Sequence, residues 1–289
     1  MGCFGKYVEG VEALVRLALE EDIGSGDATS ESVLPPDLLA TAVIAAREPC
    51  VVSGVGVSEM VFRMLDSEVE FSAIAAEGDE VGYGAVIAKV FGRAVSLLSA
   101  ERVALNFLQR LSGIATLSSK YAAAAEGTGL VVLDTRKTTP GWRVLEKTAV
   151  RSGGCSNHRF GLHDMVMIKD NHRHLASLEG PGGIVRSIEL ARGNHPGLRV
   201  EVEADTFEEA REAIDAGADR VLLDNMSDAA MRSIVDFNAG RSELEASGGI
   251  TLERIPSIAA TGVDFVSVGA LTHSATAVDI GMDVDLSFA

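Results

Sequence analysis

The second half of the sequence alternates short aliphatic and β-branched runs with stretches of helical periodicity. Six runs have the length and composition of buried strands, at residues 130–134, 165–169, 198–203, 220–224, 243–247 and 265–269. Repeated alternation of strands and helices predicts a parallel sheet, and six or seven such units suggest a closed barrel, with a doubly wound open sheet as the alternative. No Gly-x-Gly-x-x-Gly motif follows the first of these strands, which weakens the dinucleotide-binding form of the open sheet.

The first half of the sequence has a different pattern. Residues 8–21 place apolar side chains at helical spacing, which predicts an amphipathic helix. Short stretches punctuated by glycine then predict the strands of an α/β sandwich, at residues 41–46, 51–53, 69–74, 86–90 and 94–98. A helical pattern over 99–112 leads into the second half. We therefore expect an N-terminal α/β sandwich domain over 1–115, with which the tail 275–289 packs, and a β/α barrel over 116–274.

Charge and composition limit the function classes. A net charge of −17 argues against a nucleic-acid surface. The longest apolar runs are far shorter than the roughly 18 residues that a membrane span needs. Cys3, Cys50 and Cys155 are odd in number and lack paired ligand spacing, which favours reduced thiols over disulfides or a zinc knuckle. With no apolar signal core at the start of the sequence, we expect a cytoplasmic location.

One segment departs from the acidic character of the chain. Between Asp134 and Arg173 there are eight Arg or Lys residues against four acidic residues, a local charge of +4. Guanidinium forks and ammonium groups of this segment suit carboxylates and phosphates, and a solvated basic face is the weaker interpretation in so acidic a chain. The candidate anion-binding residues are Arg136, Lys137, His158, Arg159 and Lys169.

The predicted strands end in polar residues or glycine, at the edge where β/α barrels place their active sites. Turns containing Gly248 and Gly269 follow the last two strands and suit a phosphate group. Glu203 and Asp224 end neighbouring strands, where they would stabilise a cationic ribose transition state or help hold Mg²⁺ bound through phosphates. Glu201 shares a strand face with Glu203, and a structural role for it is about as well supported as a functional one.

Two other kinds of site are weak interpretations. His158, His163, His172 and His174 have no recognised zinc-ligand spacing. Cys155 lies beside several basic residues but has no evident partner base, so we expect an ordinary thiol.

Six motifs together resemble the quinolinate phosphoribosyltransferase family. They are Asp134-Thr-Arg-Lys-Thr-Thr-Pro-Gly141, Gly153-Gly-Cys-Ser-Asn-His-Arg159, Ile168-Lys-Asp-Asn-His172, Leu223-Asp-Asn225, Glu245-Ala-Ser-Gly-Gly-Ile250 and Val268-Gly-Ala-Leu-Thr-His273. The resemblance runs from residue 21 to residue 281. It implies a type II phosphoribosyltransferase with an N-terminal α/β sandwich domain, an incomplete β/α barrel and a homodimer, or a higher homo-oligomer of dimers, with shared active sites.

The resemblance also implies roles for individual residues. Quinolinate and phosphoribosyl diphosphate would be the substrates and Mg²⁺ the cofactor, with Lys137, Lys169, Glu203 and Asp224 as catalytic residues and Glu203 and Asp224 near the ribose. Arg102 would reach the active site of the partner subunit. The remaining substrate-binding residues would be Thr135, Arg136, His158 and Arg159, together with Ser247, Gly248, Gly249, Val268, Gly269 and Ala270 around the ribose 5-phosphate.

The implied reaction converts quinolinate and phosphoribosyl diphosphate into nicotinate mononucleotide, diphosphate and carbon dioxide for NAD synthesis. Two alternatives stay open at this point. One is a paralogous group associated with molybdenum-transport genes, which shares the fold and much of the pattern. The other is a barrel that binds a phosphorylated ligand without turnover, for which glycine turns and one or two cations would suffice.

Overall fold

The computed structural model describes residues 7–179 and 183–285, which form two compact units. The first unit consists of the described residues of Met1–Ser119, Thr138–Gly154 and Ala270–Ala289, and the second of those of Lys120–Lys137 and Cys155–Gly269. Among the described residues, no helix combines the length and the apolar character needed to span a membrane. Cys3 lies outside the described residues.

The strands, in chain order, are β1 (Leu39–Ala46), β2 (Cys50–Val51), β3 (Glu70–Ala73), β4 (Glu80–Val81), β5 (Val86–Arg93), β6 (Val131–Leu133), β7 (Val166–Ile168), β8 (Val200–Ala204), β9 (Arg220–Asp224), β10 (Glu243–Ser247), β11 (Phe265–Ser267) and β12 (Ile280–Asp285). The α-helices are α1 (Val8–Ile23), α2 (Ala28–Val33), α3 (Val55–Leu65), α4 (Ala94–Ala125), α5 (Arg143–Ser152), α6 (Asp170–Ala176), α7 (Gly183–Asn194), α8 (Phe207–Asp215), α9 (Asp228–Asn238), α10 (Ile255–Ala259) and α11 (Ala270–His273). Short 3-10 helices cover Ser177–Glu179 and Leu252–Arg254.

The first unit is built on a four-stranded antiparallel sheet with the order β12-β1-β5-β3. Alternate side chains of β1 are fully buried, at Ala42, Ile44 and Ala46, so one face of this central strand meets the core. The pairing of β12 with β1 joins the C-terminal part of the chain to the N-terminal sheet.

One predicted strand of this unit is wrong. Residues 94–98 form the first turns of α4, which then continues beyond the predicted 99–112 helix to Ala125. Ala94, Leu97 and Ala100 are buried in turn, and this spacing of three places one helical face against the core. A five-residue apolar run is compatible with either element, and packing along the whole of α4 selected the helix.

Thr138–Gly154, a segment predicted to belong to the barrel domain, packs in the first unit. The fully buried Glu146 carboxylate accepts hydrogen bonds from the backbone and hydroxyl of Thr139 and lies 3.3 Å from Nη2 of Arg110. Trp142 stacks on Phe107 with ring centroids 4.5 Å apart. The predicted boundary after residue 115 falls within α4, which is continuous across it.

The second unit contains a parallel six-stranded sheet with the order β6-β11-β10-β9-β8-β7. The predicted closed barrel is therefore corrected to the incomplete barrel that the family resemblance implied, because β6 and β7 are the two edges of the sheet. The free side of β6 pairs instead with Ser156, whose N–H donates to Val132 O at 2.8 Å and whose carbonyl accepts from Asp134 N at 3.1 Å.

Parallel pairing brings the carboxyl ends of these strands to one edge. Ser247 at the end of β10 is in register with Asp224 at the end of β9, and Glu203 lies one residue before the end of β8. Two of the following helices begin at capping residues, α8 at Thr206, whose Oγ1 accepts the Glu209 N–H at 3.2 Å, and α9 at Ser227. Because side chains alternate along strands, Glu201 and Glu203 share the face that points into the barrel.

Candidate active site

A cavity of about 480 Å³ lies at the carboxyl-terminal edge of the parallel sheet, wholly within the second unit. Its position is the one expected for the active site of a β/α barrel. The lining residues are Thr135, Arg136, Lys137, His158, Arg159, Met167, Lys169, Glu203, Leu222, Asp224, Glu245, Ser247 and Ser267. Cations and carboxylates thus line the same cavity.

One side of the cavity is cationic. Thr135 Oγ1 accepts the N–H of Lys137 at 3.0 Å, which shapes the loop after β6 that carries Arg136 and Lys137. Burial, followed by the charge of Arg136, lowers the pKa of Arg159, so the two guanidinium groups lie close enough to repel each other. Nε of Arg159 is buried without a hydrogen-bond partner among the described residues. Close cations and an unsatisfied buried donor suit a bound anion.

The other side of the cavity carries carboxylates. Nζ of Lys169 lies 2.8 Å from Oε2 of Glu203, and Asp224 Oδ2 accepts a hydrogen bond of 2.6 Å from the side chain of Asn225. Burial and then the charges of neighbouring carboxylates, Glu203 and Asp224 among them, raise the pKa of Asp205. This acidic group favours a cationic partner, because close like charges are destabilising.

Two glycine-containing turns follow β10 and β11, which are neighbours in the sheet. Gly248 has φ +89°, and a Cβ placed on it would lie 2.2 Å from Oδ1 of Asn225, so only glycine fits this turn. Gly249 also has a positive φ, of +57°, but a Cβ placed on it would meet no atom of the described residues within 4 Å. After β11, the N–H of Val268 donates to Leu133 O at 2.9 Å, and its side chain is buried.

A buried charge cluster forms the floor of the cavity. Nε2 of His158 lies 3.2 Å from Oε2 of Glu201 and 3.4 Å from Oε2 of Glu245, and both glutamates are fully buried. Nη1 of Arg220 lies 2.9 Å from the same oxygen of Glu245. We call these four residues the floor cluster.

The floor cluster strongly shifts the pKa values of its members. Burial alone would lower the pKa of His158, but its contacts with Glu201 and Glu245 outweigh burial and raise it to about 9. Burial and then the charge of Glu245 raise the pKa of Glu201. Burial opposes ionisation of Glu245 as well, but its contacts with His158 and Arg220 lower its pKa. Glu245 is therefore the more acidic carboxylate of the pair, and the two glutamates favour the protonated form of His158.

Comparison with known proteins identifies the family to which this fold belongs. The family models "Quinolinate phosphoribosyl transferase, N-terminal domain" and "Quinolinate phosphoribosyl transferase, C-terminal domain" match residues 27–112 and 114–283. The chain belongs to the quinolinate phosphoribosyltransferase family.

Individual relatives agree with the family assignment. A probable nicotinate-nucleotide pyrophosphorylase [carboxylating] of Bacillus subtilis is 44% identical over 92% of this chain and 91% of its own length. A quinolinate phosphoribosyltransferase [decarboxylating] of Nicotiana tabacum is 40% identical over 96% of this chain and 83% of its own. The solved structure of NadC from Streptococcus pyogenes has a TM-score of 0.91 and 38% identity, covering 97% of this chain and 98% of that one.

The structure brings most of the predicted quinolinate phosphoribosyltransferase site residues together. Nine of them line the cavity, namely Thr135, Arg136, Lys137, His158, Arg159, Lys169, Glu203, Asp224 and Ser247. Gly248, Gly249, Val268 and Gly269 follow strands at the same edge of the sheet. Arg102 on α4 and Ala270 at the start of α11 belong to the first unit.

Other lining residues were not predicted, although period-two alternation contains the signal for them. Glu245, Met167 and Ser267 each lie two residues before a predicted site residue on the same strand or strand end, and the argument applied to Glu201 and Glu203 extends to them. Alternation also places Arg220 on the strand face of Asp224, but nothing in its sequence surroundings indicates the two buried carboxylates on neighbouring strands.

The remaining histidines and the cysteines have local structural contacts. His172 Nδ1 accepts the N–H of Lys169 at the start of α6. Cys50 and Cys155 are free and buried, and burial followed by the charge of Asp134 raises the pKa of Cys155 to about 12. Cys155 is therefore protonated at neutral pH and is not an activated nucleophile.

Proposed function

We propose that this protein transfers the phosphoribosyl group of phosphoribosyl diphosphate to quinolinate, with loss of carbon dioxide, to form nicotinate mononucleotide for NAD synthesis. The observation that carries the proposal is that Arg136, Lys137 and Arg159 line the same cavity as Glu203 and Asp224. An anionic acceptor and an anionic leaving group need the cations, while a sugar that becomes positively charged needs the carboxylates. Membership of the quinolinate phosphoribosyltransferase family supports the same reaction.

The reaction forms one bond at the ribose and breaks another. The pyridine nitrogen of quinolinate supplies the electron pair for the new bond to C1 of the ribose, and the bond from C1 to the diphosphate oxygen breaks with its electrons leaving on diphosphate. In the adduct the C–C bond to the carboxylate beside the positively charged ring nitrogen breaks as carbon dioxide departs, and its electron pair stays on the ring carbon, where the adjacent positive charge stabilises it. A proton then replaces the carboxylate on that carbon, giving nicotinate mononucleotide.

The cations of the cavity have separate tasks in this scheme. Arg136 and Arg159, with His158 below them, bind the two carboxylates of quinolinate through guanidinium forks. Lys137 and Lys169 neutralise the diphosphate as negative charge develops on it. Thr135 shapes the loop that carries Arg136 and Lys137.

Glu203 and Asp224 serve the ribose. They stabilise positive charge at C1 as the bond to diphosphate weakens, which lowers the barrier only if they interact more strongly in the transition state than in the ground state. The turns at Ser247, Gly248 and Gly249 and at Gly269 and Ala270 hold the ribose 5-phosphate through backbone amides, while Val268, whose N–H donates to Leu133 O, anchors the second turn.

We propose Mg²⁺ as the cofactor, held mainly by the diphosphate. Carboxylate oxygens are the ligands that Mg²⁺ prefers, and it is usually bound by one or two of them together with substrate phosphates. Glu203 and Asp224 fit this requirement, since they form an acidic group that also raises the pKa of Asp205. The ion would supply positive charge for the leaving diphosphate.

Two further features of the proposal follow from the family. We propose a homodimer, alone or within a higher oligomer, in which Arg102 of each subunit completes the active site of its partner. A cytoplasmic location stays a prediction. The Nicotiana tabacum relative is named as mitochondrial.

A reaction assay tests the proposed function. Purified protein is incubated with quinolinate, phosphoribosyl diphosphate and Mg²⁺, and nicotinate mononucleotide and carbon dioxide are measured. We expect both products in equal amounts, and little product from nicotinate, because the missing carboxylate leaves buried cations unpaired at a cost of several kcal/mol. Absence of product with quinolinate would favour the molybdenum-associated paralogue or a non-catalytic binding barrel, and equal turnover of both acids would contradict dicarboxylate recognition.

A further inference from the structure

The floor cluster is an unusual filling for a β/α barrel. Interior positions of such barrels are mostly occupied by branched aliphatic side chains. Here Glu201 on β8, Glu245 on β10 and Arg220 on β9 all point inward, and each is at least nine-tenths buried. The guanidinium of Arg220 also lies 3.9 Å from the ring centroid of Phe265 on β11. Three of the six strands therefore contribute charged residues to one network, and a fourth contributes the ring that packs on Arg220.

Such a network is not explained by stability alone. Transfer of two carboxylates and a guanidinium out of water costs free energy of folding. Well-packed apolar residues of similar size avoid this cost and often stabilise a core at least as well. Oε1 of Glu201 and Oε1 of Glu245 are buried without hydrogen-bond partners among the described residues, so the carboxylates are only partly compensated. An energetically costly arrangement at the floor of the cavity suggests a role in binding.

The floor cluster connects to the cavity through His158. Its ring contacts Glu201 and Glu245 through Nε2, and its Nδ1 lies 2.7 Å from the backbone nitrogen of Arg159. The fully buried Asp134 accepts the backbone N–H of His158 at 2.8 Å and so holds the main chain that carries the ring. The ring is thus held from below by the two glutamates and lies against the backbone of Arg159, whose guanidinium lines the cavity.

We propose that Glu201, Glu245 and Arg220 are positioning residues that hold the His158 imidazole, and through it Arg159, in place for the carboxylates of quinolinate. This inference rests on the proposed function and deepens it. The floor cluster acts on recognition of the dicarboxylate and not on bond breaking at the ribose. Its loss therefore weakens quinolinate binding, while turnover at saturation and the KM for phosphoribosyl diphosphate stay nearly unchanged.

Steady-state kinetics of variants at Glu201, Glu245 and Arg220 test this inference. Glu201→Gln and Glu245→Gln keep the side-chain size, and Arg220→Lys keeps the charge but loses the planar fork. We expect each to raise the KM for quinolinate about tenfold or more, the effect of losing a hydrogen bond to a charged group, with kcat changed by less than about threefold. Preference for quinolinate over nicotinate should fall by the same factor, a change that general loss of folded protein would not produce.

Asp66→Asn is the matched control. Asp66 is a buried carboxylate in the first unit that pairs with Arg93 at 2.9 Å and is not a member of the floor cluster. The substitution makes the same chemical change in a buried ion pair, and we expect it to alter stability without altering the KM for quinolinate. Circular dichroism of every variant identifies those that fail to fold. If the glutamine variants fail to fold, the milder Arg220→Lys variant still tests the inference.

Calorimetric titration with quinolinate separates this inference from the proposed function. If the wild type binds quinolinate and Glu201→Gln binds it about tenfold more weakly, the positioning role is supported, even where no nicotinate mononucleotide forms. Absence of that product would count against the proposed function alone. The inference is overturned by unchanged quinolinate affinity in all folded variants, by a wild type that does not bind quinolinate, or by a fall in kcat with KM preserved. A stoichiometric metal ion found by elemental analysis in the wild type and lost from Glu201→Gln would likewise overturn it.

Discussion

Side chains two residues apart on the same strand have different surroundings in this barrel. Glu201 and Glu203 share a strand face, yet Glu201 is fully buried in the floor cluster while Glu203 lines the cavity beside Lys169. Glu245 and Ser247 on β10 repeat this relation, one at the floor and the other at the mouth. Depth along the strand therefore determines whether a side chain lies at the mouth of the cavity or in the floor cluster.

The carboxylates at the mouth should act in the transition state. We expect Glu203→Gln and Asp224→Asn to lower kcat on the order of 100-fold, because each variant loses a negative charge that stabilises the positive charge developing on the ribose. The affinity for quinolinate should be nearly unchanged. Steady-state kinetics together with calorimetric titration measure both quantities. A loss of unfolding free energy with full turnover per folded molecule would show that these carboxylates stabilise the barrel and do not serve catalysis.

The protonation of His158 predicts how stability depends on pH. Its pKa of about 9 in the folded protein lies above the ordinary value of 6.5, so the folded state binds this proton more tightly than the unfolded chain does. The stabilisation is fully present below pH 6.5 and is lost as the pH rises through 9, with a magnitude of roughly 3 kcal/mol.

Urea unfolding across this pH range tests the prediction. The unfolding free energy of the wild type should fall between about pH 6 and pH 10, and it should fall less in His158→Gln, which has no proton to lose. The glutamates facing the ring, Glu201 and Glu245, stay in place in this variant. The same pH dependence in both proteins would assign the effect to other groups.

At the scale of elements, the turn after β10 shows how backbone geometry shapes a binding site. Gly248 and Gly249 both have positive φ, but only at Gly248 would a side chain collide with Asn225. Asn225 itself has a φ of +54° and hydrogen-bonds to Asp224, so displacing it would disturb the carboxylate at the end of the neighbouring strand.

The two glycines offer a matched pair of variants. Gly248→Ala should reduce stability by about 1–3 kcal/mol and raise the KM for phosphoribosyl diphosphate, because Asn225 and the turn must move. Gly249→Ala should cost only about 1 kcal/mol and leave that KM nearly unchanged, since the added methyl group meets no atom of the described residues. Thermal unfolding and steady-state kinetics compare them. Equal effects of the two substitutions would show that the collision with Asn225 is not what matters at this turn.

Other elements show where local pattern and packing disagree. The Ala94–Leu98 region satisfies a strand pattern over five residues but belongs to a 32-residue helix, since contacts along the whole of α4 outweigh the preference of a short run. The strands β9 and β10 have the bounds that the sequence predicts, because each buried run ends sharply at a polar residue or glycine.

At the scale of the whole molecule, the proposed shared active site gives a quantitative prediction. Arg102→Ala and Lys137→Ala should each abolish most activity, because each removes a cation from every active site of a homodimer. If Arg102 acts on the partner's site, a mixed dimer has one site with both defects and one intact site. Random exchange makes about half of the dimers mixed, so about a quarter of the wild-type activity should return.

Subunit exchange has to be verified independently of activity. Two differently tagged variants, purified through both tags in succession, confirm that mixed dimers form. The mixture of Arg102→Ala with wild type controls for an effect of exchange itself. Verified mixed dimers without activity would rule out the shared site.

The sequence by itself determined the parallel β/α unit, the strand ends and most of the cavity. Hydrophobic periodicity is local, so strands such as β9 and β10 and the capping residue Thr206 can be read from nearby residues alone. The motifs at the strand ends, Asp134 to Gly141 among them, identified the cations and carboxylates. Parallel pairing then brings those ends to one edge without further information.

The tertiary structure decided which interior side chains face one another. The contacts of His158 with Glu201 and Glu245, and of Glu245 with Arg220, depend on strand order and register, and these result from packing between residues far apart in the chain. The open edge of the barrel depends in the same way on Ser156 pairing beside β6. Local sequence patterns specify the direction of each side chain, but only the assembled sheet specifies what it meets, because such contacts join distant segments of the chain.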